Sequence, residues 1–208
     1  MSFILAENLV KEYGTGAGLV QALRGIDFEI GQGEFIAVMG ESGSGKSTLL
    51  SIMGALNTPN RGRFLIDDID LYNLTSDQRA DFRREYLGFV FQSFNLIPYL
   101  TLAENVMLPL ATLRTSKKAK KHMADDALHR VGLGGKAERL PSQISGGEQE
   151  RVAVARAIVN NPPVLLADEP TGSLDSRTGT EIMTLLKKLN AEGMTIVMAV
   201  SYTHLRAH

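Results

Sequence analysis

Phe35-Ile36-Ala37-Val38-Met39 is an unbroken apolar run that passes directly into Gly40-Glu41-Ser42-Gly43-Ser44-Gly45-Lys46-Ser47. The first segment has the length and character of a strand buried on both faces. The second fits the spacing G-x-x-x-x-G-K-[ST], and Ser47 to Leu56 reads as a helix. Strand, glycine loop and helix in that order leave few folds open. The glycines let the backbone approach phosphate oxygens, and the N–H groups at the helix start face the negative charge. Lys46 then reaches the β- and γ-phosphates, and Ser47 offers its hydroxyl to Mg²⁺. A glycine-rich turn without a ligand is the bland alternative, and the Gly-Lys-Ser ending after a buried strand weighs against it.

Further strands are expected at Phe3-Ile4-Leu5, at Ala22 to Ile30, where the end alternates with period two, and at Phe64-Leu65-Ile66. From about Asp77 to Ser142 the character becomes helical, broken by Pro98, Pro109 and Pro141. Lys117-Lys118-Ala119-Lys120-Lys121 reads as a solvated helix face. Beyond Glu148, the residues Val152, Ala155, Ile158 and Val159 fall at helical spacing. Val164-Leu165-Leu166-Ala167 is a second buried strand, Thr180 to Asn190 a helix with Ile182, Leu185, Leu186 and Leu189 on one face, and Thr195 to Val200 a last strand. Strands alternating with helices predict an α/β fold with a mostly parallel sheet and helical material inserted near the middle.

The 208 residues suffice for one domain with a sizeable core. A net charge of -1 gives no argument for nucleic acid as a partner, and none is expected. Without cysteine, disulfides and thiolate metal sites are excluded. No signal peptide is expected at the N-terminus. No apolar run approaches the roughly 18 residues of a bilayer-spanning helix, so any service to a membrane would be peripheral.

Asp168 and Glu169 close the second buried strand, at the sheet edge where open α/β folds bind ligands. Two adjacent carboxylates there can divide labour: Asp168 holds a metal, and Glu169 orients or deprotonates an attacking water. Alone they would read as solvated turn acids before Pro170; beside the phosphate loop the metal reading is favoured. Ser145-Gly146-Gly147 opens a helix and so offers another anion site, although Ser-Gly-Gly alone is a common linker fragment.

Its context is far more specific. Ile144-Ser145-Gly146-Gly147-Glu148-Gln149-Glu150-Arg151-Val152-Ala153-Val154-Ala155-Arg156-Ala157, taken with the phosphate loop, resembles the signature of the ATP-binding-cassette (ABC) ATPases, over essentially residues 3 to 198. The resemblance implies a P-loop NTPase core, an N-terminal antiparallel β subdomain and an inserted helical subdomain. The core would take in residues 1–85 and 158–200, and the helical subdomain about 86–157. It implies ATP and Mg²⁺ as cofactors, with Gly40, Glu41, Ser42, Gly43, Ser44, Gly45, Lys46, Ser47 and Thr48 around the nucleotide. Ser47, Asp168 and Gln92 would serve the metal; Glu169, Lys46, Gln92 and His204 would serve the chemistry. In the family the signature loop closes on ATP held by a partner subunit, which assigns Ser145, Gly146, Gly147 and Glu148 to a composite site in a homodimer. Tyr13 matches the aromatic that stacks on adenine, and Asp175, in Ser173-Leu174-Asp175, matches a loop between subunits; their bland readings are a strand-edge tyrosine and a helix N-cap.

Glu148 stands where the commoner signature has glutamine, and Ile144 where it has leucine. Glu148-Gln149, Leu87 to Pro98 and Glu104-Asn105-Val106 look like the subgroup serving lipoprotein release, macrolide efflux and cell division. That implies integral membrane transporter subunits as partners and a cytoplasmic position on the inner face of the membrane. A regulatory or mechanical subunit that moves no cargo stays open, as does a soluble P-loop kinase or GTPase. Against the last, there is no Asn-Lys-x-Asp tetrapeptide. The family usually sets Thr-His after its last strand, a register that brings the histidine to Ser201; here Thr203-His204 comes three residues later. His204 fills the role only if the strand or turn is longer, and 201–208 read as a truncated or foreign end.

Overall fold

A computed structural model describes residues 2–201. Two four-stranded sheets divide the strands. The antiparallel one is ordered β2-β1-β4-β5, built from β1 (Ile4–Tyr13), β2 (Val20–Ile30), β4 (Arg61–Ile66) and β5 (Ile69–Asp70). The parallel one is ordered β3-β8-β7-β6, from β3 (Phe35–Gly40), β6 (Leu87–Val90), β7 (Val164–Asp168) and β8 (Thr195–Ser201). Helix α1 (Lys46–Met53) follows the glycine loop, α2 (Ser76–Tyr86) precedes β6, and α3 (Leu102–Met107), α4 (Lys117–Arg130) and α5 (Gly146–Ile158) lie between β6 and β7. Helix α6 (Ser176–Ala191) joins β7 to β8.

Alternation along the two central strands makes them a wall between two cores. Val164 and Leu166 of β7, with Val197 and Ala199 of β8, pack with α1 and the antiparallel sheet. Leu165, Ala167, Ile196 and Met198 face the other way, toward the core of α3, α4, α5 and α6. Each valine, leucine, isoleucine or methionine side chain so removed from water contributes about 1.5–3 kcal/mol. The run 164–167 is buried on both faces as its composition predicts.

The run at β3 is not. Ala37 is exposed and Met39 is 55% exposed, because β3 ends the sheet order and pairs only with β8 among the described residues. An apolar run does not reveal its place in a sheet. Helix α5 shows the converse: it buries Ala153, Val154 and Ala157 beside the expected stripe, since it lies between the sheet and the α3–α4 layer. Leu87–Val90 pairs with β7, so the segment beginning near residue 86 starts with a strand of the main sheet. There α5 comes so close that a Cβ on Gly88 would lie 2.4 Å from the Ala157 carbonyl oxygen.

The prolines act as expected of residues lacking an N–H. Pro109 falls in a 3-10 turn (Leu108–Leu110) just after α3, and Pro141 opens another (Pro141–Gln143) before α5. No helix among the described residues is long and apolar enough to cross a membrane.

Candidate functional site

Gly45 sets the geometry of the phosphate loop. It is the N-cap of α1 at φ 93°, a conformation that side chains rarely adopt, and a Cβ there would lie 2.4 Å from the Ala22 carbonyl oxygen. The loop therefore lies against β2 and leaves the first N–H groups of α1 free of side-chain caps. Lys46 folds back beneath it, 6% exposed, donating to the carbonyls of Gly40 (3.0 Å) and Glu41 (2.8 Å).

Register in the parallel sheet brings the remaining groups to the same end. β7 delivers Asp168, whose Oδ1 accepts from the Ser47 hydroxyl at 3.0 Å. Burial raises the Asp168 carboxyl above the ordinary range, and the Ser47 hydrogen bond opposes this. Two oxygen donors joined in this way suit a hard divalent cation, which takes one or two protein oxygens and completes its shell from phosphate and water.

Glu169 is the point of convergence. Its Oε1 lies 3.7 Å from Lys46 Nζ and accepts from the Ser201 hydroxyl; its Oε2 accepts from Gln92 Nε2 at 3.1 Å. The backbone of Glu169 is left-handed (φ 48°), and its N–H donates to the Ala199 carbonyl. A bulky residue held in that region marks a place where surrounding contacts override local preference.

These residues open on a cleft of about 800 Å³ lined by the phosphate loop from Ser42 to Thr48, by Gln92 and Glu169, and by Tyr13 and Val20 from the antiparallel sheet. Tyr13 is 42% exposed, and its hydroxyl accepts from Asn57 Nδ2. Of the residues singled out from sequence, 13, 42–48, 92 and 169 line this cleft. Asp168 touches it through Ser47, and Gly40 and Glu41 through Lys46. Ser145, Gly146, Gly147, Glu148 and Asp175 do not line it. Ser145 caps α5 in a box with Glu148, and Asp175 caps α6, accepting from the N–H and hydroxyl of Thr178. Both helix starts adjoin, since Gly147 has no room for a Cβ beside Thr178. His204 lies outside the described residues.

Sequence reasoning passed over Ser201 as a contributor, although the strand register pointed to that position. It also passed over Arg24 and Val20, which reach the cleft only through the pairing of β1 with β2. In the sequence Arg156 is only one residue of the signature stretch. Its guanidinium donates to the carbonyls of Phe94 (2.6 Å) and Asn95 (2.5 Å), both left-handed at φ 50°. The loop after Gln92 is thus clamped, and again beyond it: buried Asn105 accepts from the Ile97 N–H and donates to the carbonyls of Ile97, Leu100 and Thr101.

Behind the clamp lies Glu150, 1% exposed, its Oε1 without a partner among the described residues. Burial lifts its carboxyl to about 8, against the pull of Arg156. The folded chain thus keeps a proton that the unfolded chain loses near the ordinary carboxylate value. The stabilising contribution is full below that value and lost as pH rises through about 8. Glu150→Gln is expected to melt above the parent at about pH 8.5, by roughly 2–4 °C for each kcal/mol, with the gap closing toward about pH 5. A gap of constant size across a pH series of thermal melts would contradict this.

A family model described as "ABC transporter" matches residues 23–172. An uncharacterised ABC transporter ATP-binding protein of Methanocaldococcus jannaschii, MJ0796, is 48% identical over 200 residues, covering 94% of this chain and 85% of that protein. The macrolide export ATP-binding/permease protein MacB 1/2 of Paracoccus denitrificans is 47% identical over 188 residues, covering 90% of this chain but only 28% of that larger protein. Among solved structures, a dimeric post-hydrolysis state of the MJ0796 cassette bound to ADP and Pi aligns with a TM-score of 0.86 at 46% identity, covering 95% of this chain and 87% of that one.

Proposed function

The chain belongs to the ABC transporter family, and on that premise we propose that it is an ATP-hydrolysing nucleotide-binding subunit. It drives a membrane transporter of the lipoprotein-release or macrolide/peptide-efflux kind, peripheral on the cytoplasmic face. The observation that carries the reading is the convergence on Glu169 of Lys46, Gln92 and Ser201, at the mouth of a cleft walled by the phosphate loop.

In this reading the N–H groups at the start of α1 and the Lys46 ammonium bind the β- and γ-phosphates of ATP. Tyr13 and Val20 flank the base. Ser47, Asp168 and Gln92 would hold Mg²⁺, which neutralises phosphate charge when bound. Glu169 accepts a proton from the water that attacks the γ-phosphorus, while the bond from that phosphorus to the bridging oxygen of ADP breaks. Gln92 and Ser201 keep the carboxylate aimed. Positioning and electrostatics supply most of the rate in such transfers. The signature residues at the head of α5 stand apart from this cleft and serve the ATP of a second copy, so that two copies enclose two nucleotides. The dimeric ADP-bound relative supports that arrangement.

The test is recovery of the membrane partner. The full-length chain, purified from its own cells in mild detergent, is expected to bring down an integral membrane protein whose cargo leaves reconstituted vesicles only with ATP. A partner that stimulates ATP turnover while no cargo moves would favour the regulatory or mechanical role.

A further inference from the structure

Glu148 puts a carboxylate where the commoner signature has a neutral amide, at the end of α5 that is to meet phosphate. Its Oε2 accepts from the Ser145 N–H (2.9 Å) and the Ser145 hydroxyl (3.1 Å), so it already occupies donors that an incoming anion needs. The hydrogen bond from Lys136, then that from the Ser145 backbone, hold its carboxyl down to about 2, and it stays ionised at any working pH. A helix N-terminus presents only about half a positive charge, so an uncompensated carboxylate there would turn the end of α5 net negative.

Lys136 removes that difficulty. It sits in the turn between α4 and α5, tied by its own N–H to the Leu133 carbonyl and by its carbonyl to the Arg139 N–H. Its ammonium donates to Glu148 Oε1, the oxygen that the capping box leaves over. We propose that Lys136 neutralises Glu148, so that the signature end of α5 can accept the triphosphate bound to a second copy. Lys136 is thus a positioning residue: it cancels the charge and, by holding one carboxylate oxygen, lessens the demand on the Ser145 hydroxyl. The inference rests on the dimer reading above.

The test uses the full chain carrying Glu169→Gln, in which slow turnover preserves the ATP-bound dimer, with dimerisation followed by light scattering during ATP titration. Adding Lys136→Met is expected to raise the ATP needed for half-dimerisation about tenfold, while Lys136→Arg stays within about twofold. With Glu148→Gln present the lysine becomes dispensable, and adding Lys136→Met then changes the midpoint by less than about threefold. Thermal melts confirm that each variant is folded. Lys136→Met without effect, or with the same loss in the Glu148→Gln background, overturns the role of Lys136 while leaving the dimer reading intact. No ATP-driven dimer in the Glu169→Gln chain itself overturns the dimer reading and this inference together.

Discussion

Glu169→Gln is expected to lower ATP turnover by about 10²–10⁴-fold, the usual worth of a positioned general base. The fold should tolerate the change. Glutamine keeps the shape of glutamate, the Gln92 amide can turn to offer its oxygen, and the Ser201 hydroxyl can rotate to accept. Nucleotide affinity should hold or rise, because the substitution removes a negative charge 3.7 Å from Lys46, freeing that ammonium for phosphate. The signature of the result is therefore a split: single-turnover hydrolysis falls by orders of magnitude while ATP titration gives an equal or tighter midpoint. Hydrolysis at the parent rate would remove Glu169 from the role of base. Loss of binding along with turnover would mean that the carboxylate acts on the loop rather than on the water.

Lys46→Ala should produce the opposite pattern. Lys46 is a buried cation whose partners in this structure are two loop carbonyls and, at longer range, Glu169. Its removal takes away the cation that folds back beneath the glycine loop. It also leaves Glu169 as an uncompensated negative group beside the phosphate position. A contact of this kind is worth about 3 kcal/mol, so ATP affinity should weaken roughly a hundredfold or more. Calorimetry against ATP measures it directly. An unchanged dissociation constant would remove Gly40–Ser47 from the nucleotide site, and with it the reading of the cleft.

Those two residues differ in how openly the sequence declared them. The phosphate loop was legible because its chemistry is contiguous: strand, glycines, lysine and helix lie within one stretch, and local geometry does the assembling. Asp168 and Glu169 were legible for a related reason, as the end of an apolar strand marks the edge of a parallel sheet. What holds Glu169 was only partly so. Gln92 and Ser201 reach it across 77 and 32 residues, and only the register of β6, β7 and β8 brings them together. The exposure of β3 is not legible in the sequence, because apolar content reports burial only when the sheet order is known. Arg156 escaped as a clamp because its partners are backbone carbonyls of a remote loop, and backbone leaves no mark on composition. Asp175 matches a loop between subunits, and within the single chain its two oxygens accept from the N–H and hydroxyl of Thr178 at the start of α6.

Helix α5 carries Ser145 at its head and Arg156 eleven residues later, roughly 16 Å along its axis at 1.5 Å per residue. At the far end it abuts the backbone of β6 without an intervening side chain, where Gly88 meets Ala157. It is thus a strut bearing on two seats: the cap that would face a neighbouring molecule's phosphate, and the carbonyls that shape the loop beyond Gln92. Thermodynamic reciprocity then applies to its two ends. Whatever free energy a ligand at Ser145 exerts on the Phe94–Asn95 turn, a partner gripping that turn must return in equal measure to the ligand. Any such coupling would bring Arg156, about three turns from Ser145, into the same equilibrium as the cap.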